Sequence, residues 1–315
     1  GLAALHRATG RADLLQAAHQ LWANVRQQHL TPGGGPWGGV GQRSREVFNP
    51  AGVFSPQGYV ETCSTMAWIQ LNRELLAITG DAAHADEVET AAYNDLLAAA
   101  GPDGHDWCYY VFGNGRRAHT TRWRCCKSSG ALALEDLPDL AVAWAEPDLL
   151  RVQLYGPADS TLSWPDGRSL RLQQHTAYPA DGAVRLQITL DAARRFTLAL
   201  RVPTWAEGAS LHIDGQAQDL AVPPGGWCLC TRRWTGAERI EWTLPMPLRR
   251  HQRRHRNVQE SKAPDGQPVR QEVQCADFVA FGRGPLLYAC GLVDGWRSEE
   301  TLRLPDAPLH SWLQP

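Results

Sequence analysis

The feature that most constrains the fold of this chain of 315 residues is a change in the spacing of its apolar residues near Pro138. Before Pro138, apolar residues recur every three or four positions, which predicts helices that begin near Ala12, Glu61 and Asp81. After Pro138, apolar residues alternate with polar ones, which is the period of a β-strand. This alternation predicts strands over 184–190, 196–202, 211–213 and 240–244. The chain is therefore predicted to be an α + β protein with its helices first.

Helix lengths and turn sequences predict a specific architecture on each side of Pro138. The predicted helices form hairpins of similar length that follow one another, which is typical of an α/α toroid. Beyond Pro138, turn sequences at 165–167, 181–182 and 214–215 separate the strands at the spacing of a sandwich. We therefore predict an antiparallel β-sandwich from residue 140 to about 250, with residues 278–288 returning as a further pair of strands.

The composition argues against two classes of partner. The 31 basic and 33 acidic residues leave a formal charge of −2, so no overall field favours nucleic acid or an anionic membrane. The chain also has no apolar run near the ~20 residues that a membrane span requires. A basic run at 249–256 is short, and we interpret it as a solvated loop. The 13 Trp residues suit a carbohydrate partner, because an indole offers a flat apolar platform to a sugar ring.

Three cysteines and one carboxylate are the candidate metal ligands. Cys125 and Cys126 are adjacent, and a disulfide between neighbours is strained, so ligand or nucleophile roles suit them better. Together with Glu61 and Cys63, they offer the thiolate and carboxylate groups that Zn²⁺ accepts in a tetrahedral site. We therefore predict that these four residues share one zinc ion. Free cysteine is also a common small buried residue, and no CxxC pair occurs, so this alternative stays open.

Other segments surround this predicted zinc site. The glycine-rich stretch 31–41 cannot form regular structure, and it predicts a loop that lies close to another backbone or to a ligand. Glu46 lies just beyond this loop. An aromatic segment at 105–124, which contains Tyr109 and Tyr110, is predicted to deliver Cys125 and Cys126 to the start of a helix over about 128–137. The positive end of that helix would favour a thiolate.

Four segments together carry a resemblance to a known family. They are Tyr59-Val60-Glu61-Thr62-Cys63, Trp123-Arg124-Cys125-Cys126, Arg201-Val202-Pro203-Thr204-Trp205 and Gly282-Arg283-Gly284-Pro285. With these segments the chain resembles glycoside hydrolase family 127, the β-L-arabinofuranosidase family, over nearly its whole length. The resemblance implies an (α/α)6 barrel followed by β-sandwich domains. It therefore predicts the C-terminal portion of the barrel over residues 1–138 and the β-sandwich over 139–315.

The resemblance also implies roles for the candidate residues. Glu61, Cys63, Cys125 and Cys126 would hold Zn²⁺, with Cys125 as the nucleophile, Glu46 as the acid/base, and Tyr109 or Tyr110 near the sugar. The implied substrate is an L-arabinofuranoside or a related glycoside. Two displacements, the second by water, would retain the configuration of the sugar. Because a complete barrel has twelve helices, the chain would be the C-terminal part of a longer enzyme, and the part alone need not be active.

Two other classes of function compete with this reading. A carbohydrate-binding or structural module could use the same four ligands as a closed structural zinc site. Glu46 separates the two readings, because a structural site has no use for a carboxylate near the thiolate. A thiol–disulfide redox protein fits less well, because the chain lacks CxxC and Cys228-Leu229-Cys230 lies in a strand-like segment. The N-terminal residues show no targeting pattern, so the compartment stays open.

Overall fold

The computed structural model describes residues 1–38, 47–52, 58–113, 119–120, 122, 124–289 and 304–313, and for 120, 255–260, 272–274 and 276 it describes the backbone alone. The first half of the chain is mainly helical, with short strands that pair in two small sheets. Its helices are α1 (Leu2–Thr9), α2 (Ala12–Gln28), α3 (Thr62–Thr79), α4 (Ala82–Ala91), α5 (Leu97–Ala99) and α6 (Arg124–Ala141), with a π-helical segment (Ala92–Leu96) between α4 and α5. Its strands are β1 (Val60–Glu61), β2 (Trp107–Cys108), β3 (Tyr110–Val111) and β4 (His119–Thr120).

Helix boundaries follow local signals in the first half of the chain, with one exception. Gly80 ends α3 in the left-handed conformation at φ 69°, and Asp81 caps α4 by accepting the N–H of Ala83 at 2.9 Å. Both boundaries confirm the sequence prediction. The prediction for α6 was wrong at its limits, because this helix begins at Arg124 and passes through Pro138 before it ends at Ala141. Proline removes one intrahelical hydrogen bond and its ring crowds the carbonyl four residues earlier, and α6 continues for only three residues beyond Pro138.

The helices pack around a core that draws on α2, α3, α4 and α6. Its members are apolar residues at helical spacing, joined by residues of the small sheets. The described residues contain α1–α6, which is fewer than the twelve helices of an (α/α)6 barrel, so the partial barrel stays a prediction. No helix among the described residues is long and apolar enough to cross a membrane.

The second half of the chain consists of β-strands. These are β5 (Val142–Glu146), β6 (Leu149–Val152), β7 (Ala158–Ser163), β8 (Ser169–Thr176), β9 (Ala183–Leu190), β10 (Arg194–Val202), β11 (Ser210–Ile213), β12 (Gln216–Ala217), β13 (Gly226–Trp234), β14 (Arg239–Thr243), β15 (Leu248–Lys262), β16 (Pro268–Arg283) and β17 (Leu286–Tyr288). They form a four-stranded sheet in the order β13-β10-β6-β5, a six-stranded sheet in the order β12-β11-β14-β9-β8-β7, and a three-stranded sheet in the order β15-β16-β17.

The two larger sheets share one hydrophobic core. Val184, Leu186 and Ile188 of β9 are buried at alternate positions, and residues of β6, β10 and β13 belong to the same cluster. The strands predicted from alternation are confirmed as β9, β10, β11 and β14, and the predicted return of 278–288 is confirmed by the pairing of β16 with β17. The expectation of a wholly antiparallel arrangement was wrong at one pair, because β6 and β10 run parallel.

The basic run at 249–256 is not a loop, which corrects the sequence prediction. It lies within β15, which pairs along its length with β16 in an antiparallel ribbon. Arg253, Arg254 and Asp277 are all exposed in the outer part of this ribbon. A strand that is solvated on both faces needs no apolar face, so the alternation that identifies most strands is missing here.

A buried arginine joins the helices to the sheets. Arg201 of β10 is fully buried, and its guanidinium donates to the carboxylates of Asp86 and Glu89 in α4 and to the carbonyl of Gln153. The backbone N–H of Thr204 also donates to Asp86, at 2.9 Å. The conspicuous segment at 201–205 therefore forms a charged contact between the two halves of the chain.

Candidate active site around a three-cysteine cluster

Two helix starts bring three thiols together. Cys63 lies in the first turn of α3, and Cys125 and Cys126 lie in the first turn of α6, which packs against α3. The Sγ atom of Cys126 is 3.5 Å from that of Cys63 and 3.9 Å from that of Cys125, and all three Sγ atoms lie within 4.8 Å of one another. We call these three residues the cysteine cluster. Cys126 is fully buried, Cys63 is partly buried and Cys125 is exposed.

The spacing of the cysteine cluster fits a single metal ion. In a tetrahedral site with Zn–S bonds of about 2.3 Å, neighbouring sulfur atoms are about 3.8 Å apart. The two measured distances of 3.5 and 3.9 Å lie on either side of this value. Among the residues that the structure describes, the group whose ligand atoms all lie within 4.8 Å consists of these cysteines without Glu61. The cluster could therefore supply three ligands as it stands.

Glu61 lies next to the cysteine cluster. It is the last residue of β1 and the N-cap residue of α3, it is buried, and its carboxyl group hydrogen-bonds to the thiol of Cys63. Strand β1 therefore passes directly into the helix that carries Cys63, with no loop between them. This junction therefore places the Glu61 carboxyl group beside the cysteine cluster.

The protein stabilises one negative charge within the cysteine cluster. The pKa of Cys63 is lowered to about 5, mainly by a hydrogen bond from Cys126. Burial of Cys63 raises this pKa, whereas hydrogen bonds with Ser129, Glu61 and Cys125 lower it further. The same hydrogen bond and burial raise the pKa of Cys126, and burial together with the Cys63 thiolate raises the pKa of Cys125. A second or third thiolate would therefore require a cation, which is what a divalent metal provides.

An aromatic wall adjoins Glu61. Tyr110 pairs with Glu61 across β1 and β3, and its ring lies 4.6 Å from that of Tyr59 and 4.4 Å from that of Tyr109. Tyr109 is buried, and its carbonyl accepts the N–H of Thr62 at 3.3 Å. Tyr110 is only partly buried. Of the two tyrosines predicted near the sugar, Tyr110 keeps more surface available for contact.

Glu46, the predicted acid/base, lies outside the described residues, and so does Trp123. The described residue nearest to Glu46 is Val47, which is exposed, and Phe48 pairs with Gly38. Gly38 in turn donates its N–H to the carbonyl of Tyr59, immediately before β1, at 2.6 Å. Gly38 therefore lies between Phe48 and the start of β1.

The glycine-rich loop packs against helix backbone, which confirms that it lies close to another part of the chain. Residues 33–38 are buried. Gly34 has φ +90°, and a Cβ atom there would come within 2.8 Å of the backbone nitrogen of Ala91. Only glycine fits both the conformation and the space. The neighbour at Gly34 is the backbone of α4, so packing against this helix positions the described part of the loop.

Two residues near the site were not predicted. Ser129 of α6 donates its hydroxyl to Cys63 at 3.3 Å, and Asp95 of the π-helical segment accepts the N–H of Gly35 at 2.7 Å. Each residue acts on a part of the chain about sixty residues away, and nothing in its own sequence neighbourhood indicates that partner. The packing of α6 on α3 was the only information that could have identified Ser129.

Comparisons with known proteins find two domain models of one family that match the chain. The Beta-L-arabinofuranosidase, GH127 catalytic domain matches residues 1–139, and the GH127 middle domain matches residues 149–246. None of the curated proteins that were compared matches the chain.

Solved structures share the fold. A GH127 beta-L-arabinofuranosidase from Geobacillus stearothermophilus T6 has a TM-score of 0.73 and 27% identity, over 91% of this chain and 45% of that one. A protein described as a glycoside hydrolase has a TM-score of 0.73 and 22% identity, over 91% and 49% of the two chains. A GH127 beta-arabinofuranosidase has a TM-score of 0.74 and 23% identity, over 91% and 45%. The chain thus spans about half the length of these proteins.

Proposed function

Because the chain belongs to the GH127 β-L-arabinofuranosidase family, two domains of which match it in order, we propose that it carries the thiolate half of the active site of a retaining glycoside hydrolase. The proposed substrate is an L-arabinofuranoside or a related glycoside. The observation that carries the proposal is the cysteine cluster, in which three thiols from two helices lie within 4.8 Å of one another while one of them stays exposed.

Zinc is the proposed cofactor. Cys63, Cys125 and Cys126 would hold the ion, and Glu61, whose carboxyl group hydrogen-bonds to Cys63, would complete the set. The ion would supply the positive charge that keeps several thiols deprotonated at neutral pH. The separations between the sulfur atoms, and the single thiolate that the protein stabilises by itself, support this assignment.

Cys125 is the proposed nucleophile. Cys126 is fully buried and cannot approach a sugar, whereas Cys125 is exposed beside it. In the first displacement, Cys125 Sγ would bond to the anomeric carbon as the bond from that carbon to the leaving oxygen breaks, and Glu46 would donate a proton to that oxygen. In the second, water would attack the same carbon, the C–S bond would break, and Glu46 would take the proton. Two inversions retain the configuration.

The architecture proposed for the whole enzyme follows the same family. We propose that α1–α6 are the last helices of an (α/α)6 barrel within residues 1–138, and that the larger sheets form a β-sandwich within 139–315. Tyr110, which pairs with Glu61 and is partly exposed, is the better candidate of the two tyrosines for contact with the sugar. Tyr109 would then support it from beneath.

A second candidate function is a non-catalytic module with a structural zinc site. The complete burial of Cys126 and the burial of Glu61 favour it, because structural zinc sites are closed. The exposure of Cys125 argues against it, since a structural ligand gains nothing from contact with solvent.

The test is intact-mass spectrometry and zinc analysis of the full-length protein after incubation with an aryl β-L-arabinofuranoside and with a thiol-reactive sugar analogue. Cys125→Ser and Glu46→Gln are compared with Cys275→Ser, which alters an exposed cysteine outside the cluster. We expect a zinc-loaded enzyme with a sugar adduct on Cys125, and turnover lost in the first two variants alone. Bound zinc with neither adduct nor turnover on any arabinofuranoside would favour the structural module.

A further inference from the structure

Three consecutive residues of the π-helical segment hold three separate parts of the chain. Such segments are rare, and they occur often at functional sites. Tyr93 bonds to the β-sheet half, Asn94 to the C-terminal strands, and Asp95 to the glycine-rich loop. The partners are Tyr155 O at 3.0 Å for Tyr93, Pro285 O at 2.9 Å and Leu287 N at 2.8 Å for Asn94, and Gly35 N at 2.7 Å for Asp95.

Two residues of the glycine-rich loop donate hydrogen bonds to the carboxylate of Asp95. Its Oδ2 atom accepts the N–H of Gly35 at 2.7 Å and the hydroxyl of Thr31 at 3.0 Å. A Cβ atom at Gly33 would lie 2.7 Å from the same oxygen, so the loop backbone touches the carboxylate closely. Asp95 is itself buried, which makes these hydrogen bonds stronger than the same bonds in water.

The glycine-rich loop in turn contacts β1 and α3. A Cβ atom at Gly35 would come within 2.5 Å of Val60 Cγ1 and within 3.0 Å of Thr65 Oγ1, so the loop backbone lies directly on β1 and α3. Thr65 donates its hydroxyl to the carbonyl of Glu61 at 3.4 Å. A continuous set of contacts therefore runs from Asp95 through Gly35 to Glu61.

We propose that Asp95 is a positioning residue for the reaction, which fixes β1 so that Glu61 stays aligned with the cysteine cluster. This inference rests on the proposed function, since alignment matters only if the cluster binds metal and acts on a sugar. The hydrogen bonds described for Asp95 go to the glycine-rich loop. Asp95 would therefore act through the loop. Direct hydrogen-bond partners of metal ligands change metal affinity about 10–100-fold when they are replaced, so Asp95, which lies further from the ion, should act at the lower end of this range.

The experiment compares Asp95→Ala, Asp95→Asn and Asn94→Ala in the full-length protein. Asparagine keeps an oxygen that can accept both hydrogen bonds, so it tests the anchorage apart from the charge. Asn94→Ala is the matched control, because this neighbour in the π-helical segment holds Pro285 and Leu287 instead of the loop. The measurements are amide hydrogen exchange of residues 31–38 and 58–63, zinc affinity by competition with a chromophoric chelator, and kcat and KM on an aryl arabinofuranoside.

We expect Asp95→Ala to exchange the loop amides at least about tenfold faster, to bind zinc about tenfold more weakly and to lose about 100-fold in kcat, with KM changed less than about threefold. Asp95→Asn should recover most of each effect, and Asn94→Ala should show none of them. Faster loop exchange with unchanged zinc affinity and kcat would overturn the proposal while leaving the proposed function intact. Absence of turnover in the parent protein would instead refute the proposed function and, with it, a role of Asp95 in the reaction. Loop exchange and zinc affinity would then still test whether Asp95 anchors the loop and supports Glu61.

Discussion

Replacement of Arg201 by methionine should destabilise the protein strongly, because it leaves two buried carboxylates without their cation. Asp86 and Glu89 have side-chain exposures of 11% and 1%, and both receive hydrogen bonds from this guanidinium. Removing one partner from a buried ion pair costs about 3–5 kcal/mol. The carbonyl of Gln153 also loses a donor, at about 1–3 kcal/mol. The expected loss, of about 4–8 kcal/mol, is a large part of the about 5–15 kcal/mol that stabilises a typical domain.

The dependence of this loss on pH tests its cause. Burial raises the pKa of Glu89 even with Arg201 present, and the charge of Arg201 opposes that rise. Without Arg201 the pKa of Glu89 should rise further above its unfolded value. The folded variant would then bind a proton that the unfolded chain does not, so its stability would increase as the pH falls through the folded pKa. The deficit relative to the parent should therefore be smaller at pH 5 than at pH 7.

The assay is urea unfolding at pH 7 and pH 5, followed by far-UV and near-UV circular dichroism. Arg171→Met is the control, because Arg171 pairs with Asp159 at the surface and its loss should leave the unfolding midpoint unchanged. A loss below about 1 kcal/mol for Arg201→Met, or a deficit of equal size at both pH values, would refute the argument from buried charge.

Two further predictions concern hydrogen bonds and buried histidine. Ser129→Ala should weaken zinc binding about 10–100-fold, because the Ser129 hydroxyl donates to Cys63. Ser128→Ala is the control, because Ser128 is exposed in the same turn and its loss should leave zinc affinity unchanged. Equal zinc affinities of the two variants in a chelator competition would contradict this prediction. Burial lowers the pKa of His84 to about 4. As the pH falls from about 6.5 to 4, the unfolded chain binds a proton at His84 that the folded protein does not yet bind. Up to about 3 kcal/mol of stability should therefore be lost over this range. The His84→Gln variant should lose less stability than the parent between pH 7 and pH 4.5, as measured by urea unfolding.

Local patterns were sufficient to predict six of the described strands, namely β9, β10, β11, β14, β16 and β17. Val184, Leu186 and Ile188 are buried as their alternation predicts, because one face of β9 must pack on a core. The helix starts near Cys63 and Cys125 were also indicated by local patterns, whereas the meeting of the cysteines was proposed from zinc chemistry and from the family resemblance. The alternation and the helix starts depend on residues that are close together in the sequence.

What could not be predicted depends on which distant elements touch. The parallel pairing of β6 with β10 follows from topology, and a strand's own sequence does not state the direction of its neighbour. The π-helical segment is equally hidden, since its residues suit an α-helix and its wider turn is stabilised by partners elsewhere. Asp95 and Ser129 owe their roles to these distant contacts, so they could be found only in the folded structure.

The direct passage of β1 into α3 has a thermodynamic consequence for the proposed binding of zinc. In small zinc domains the ligands are scattered until the ion folds the chain, so binding is accompanied by a large negative heat-capacity change. Here Glu61 and Cys63 sit on one continuous backbone that is already paired with β3 and packed on α6. Calorimetric titration with zinc should therefore give a heat-capacity change close to zero, as expected of a receptor that is assembled before its ion arrives.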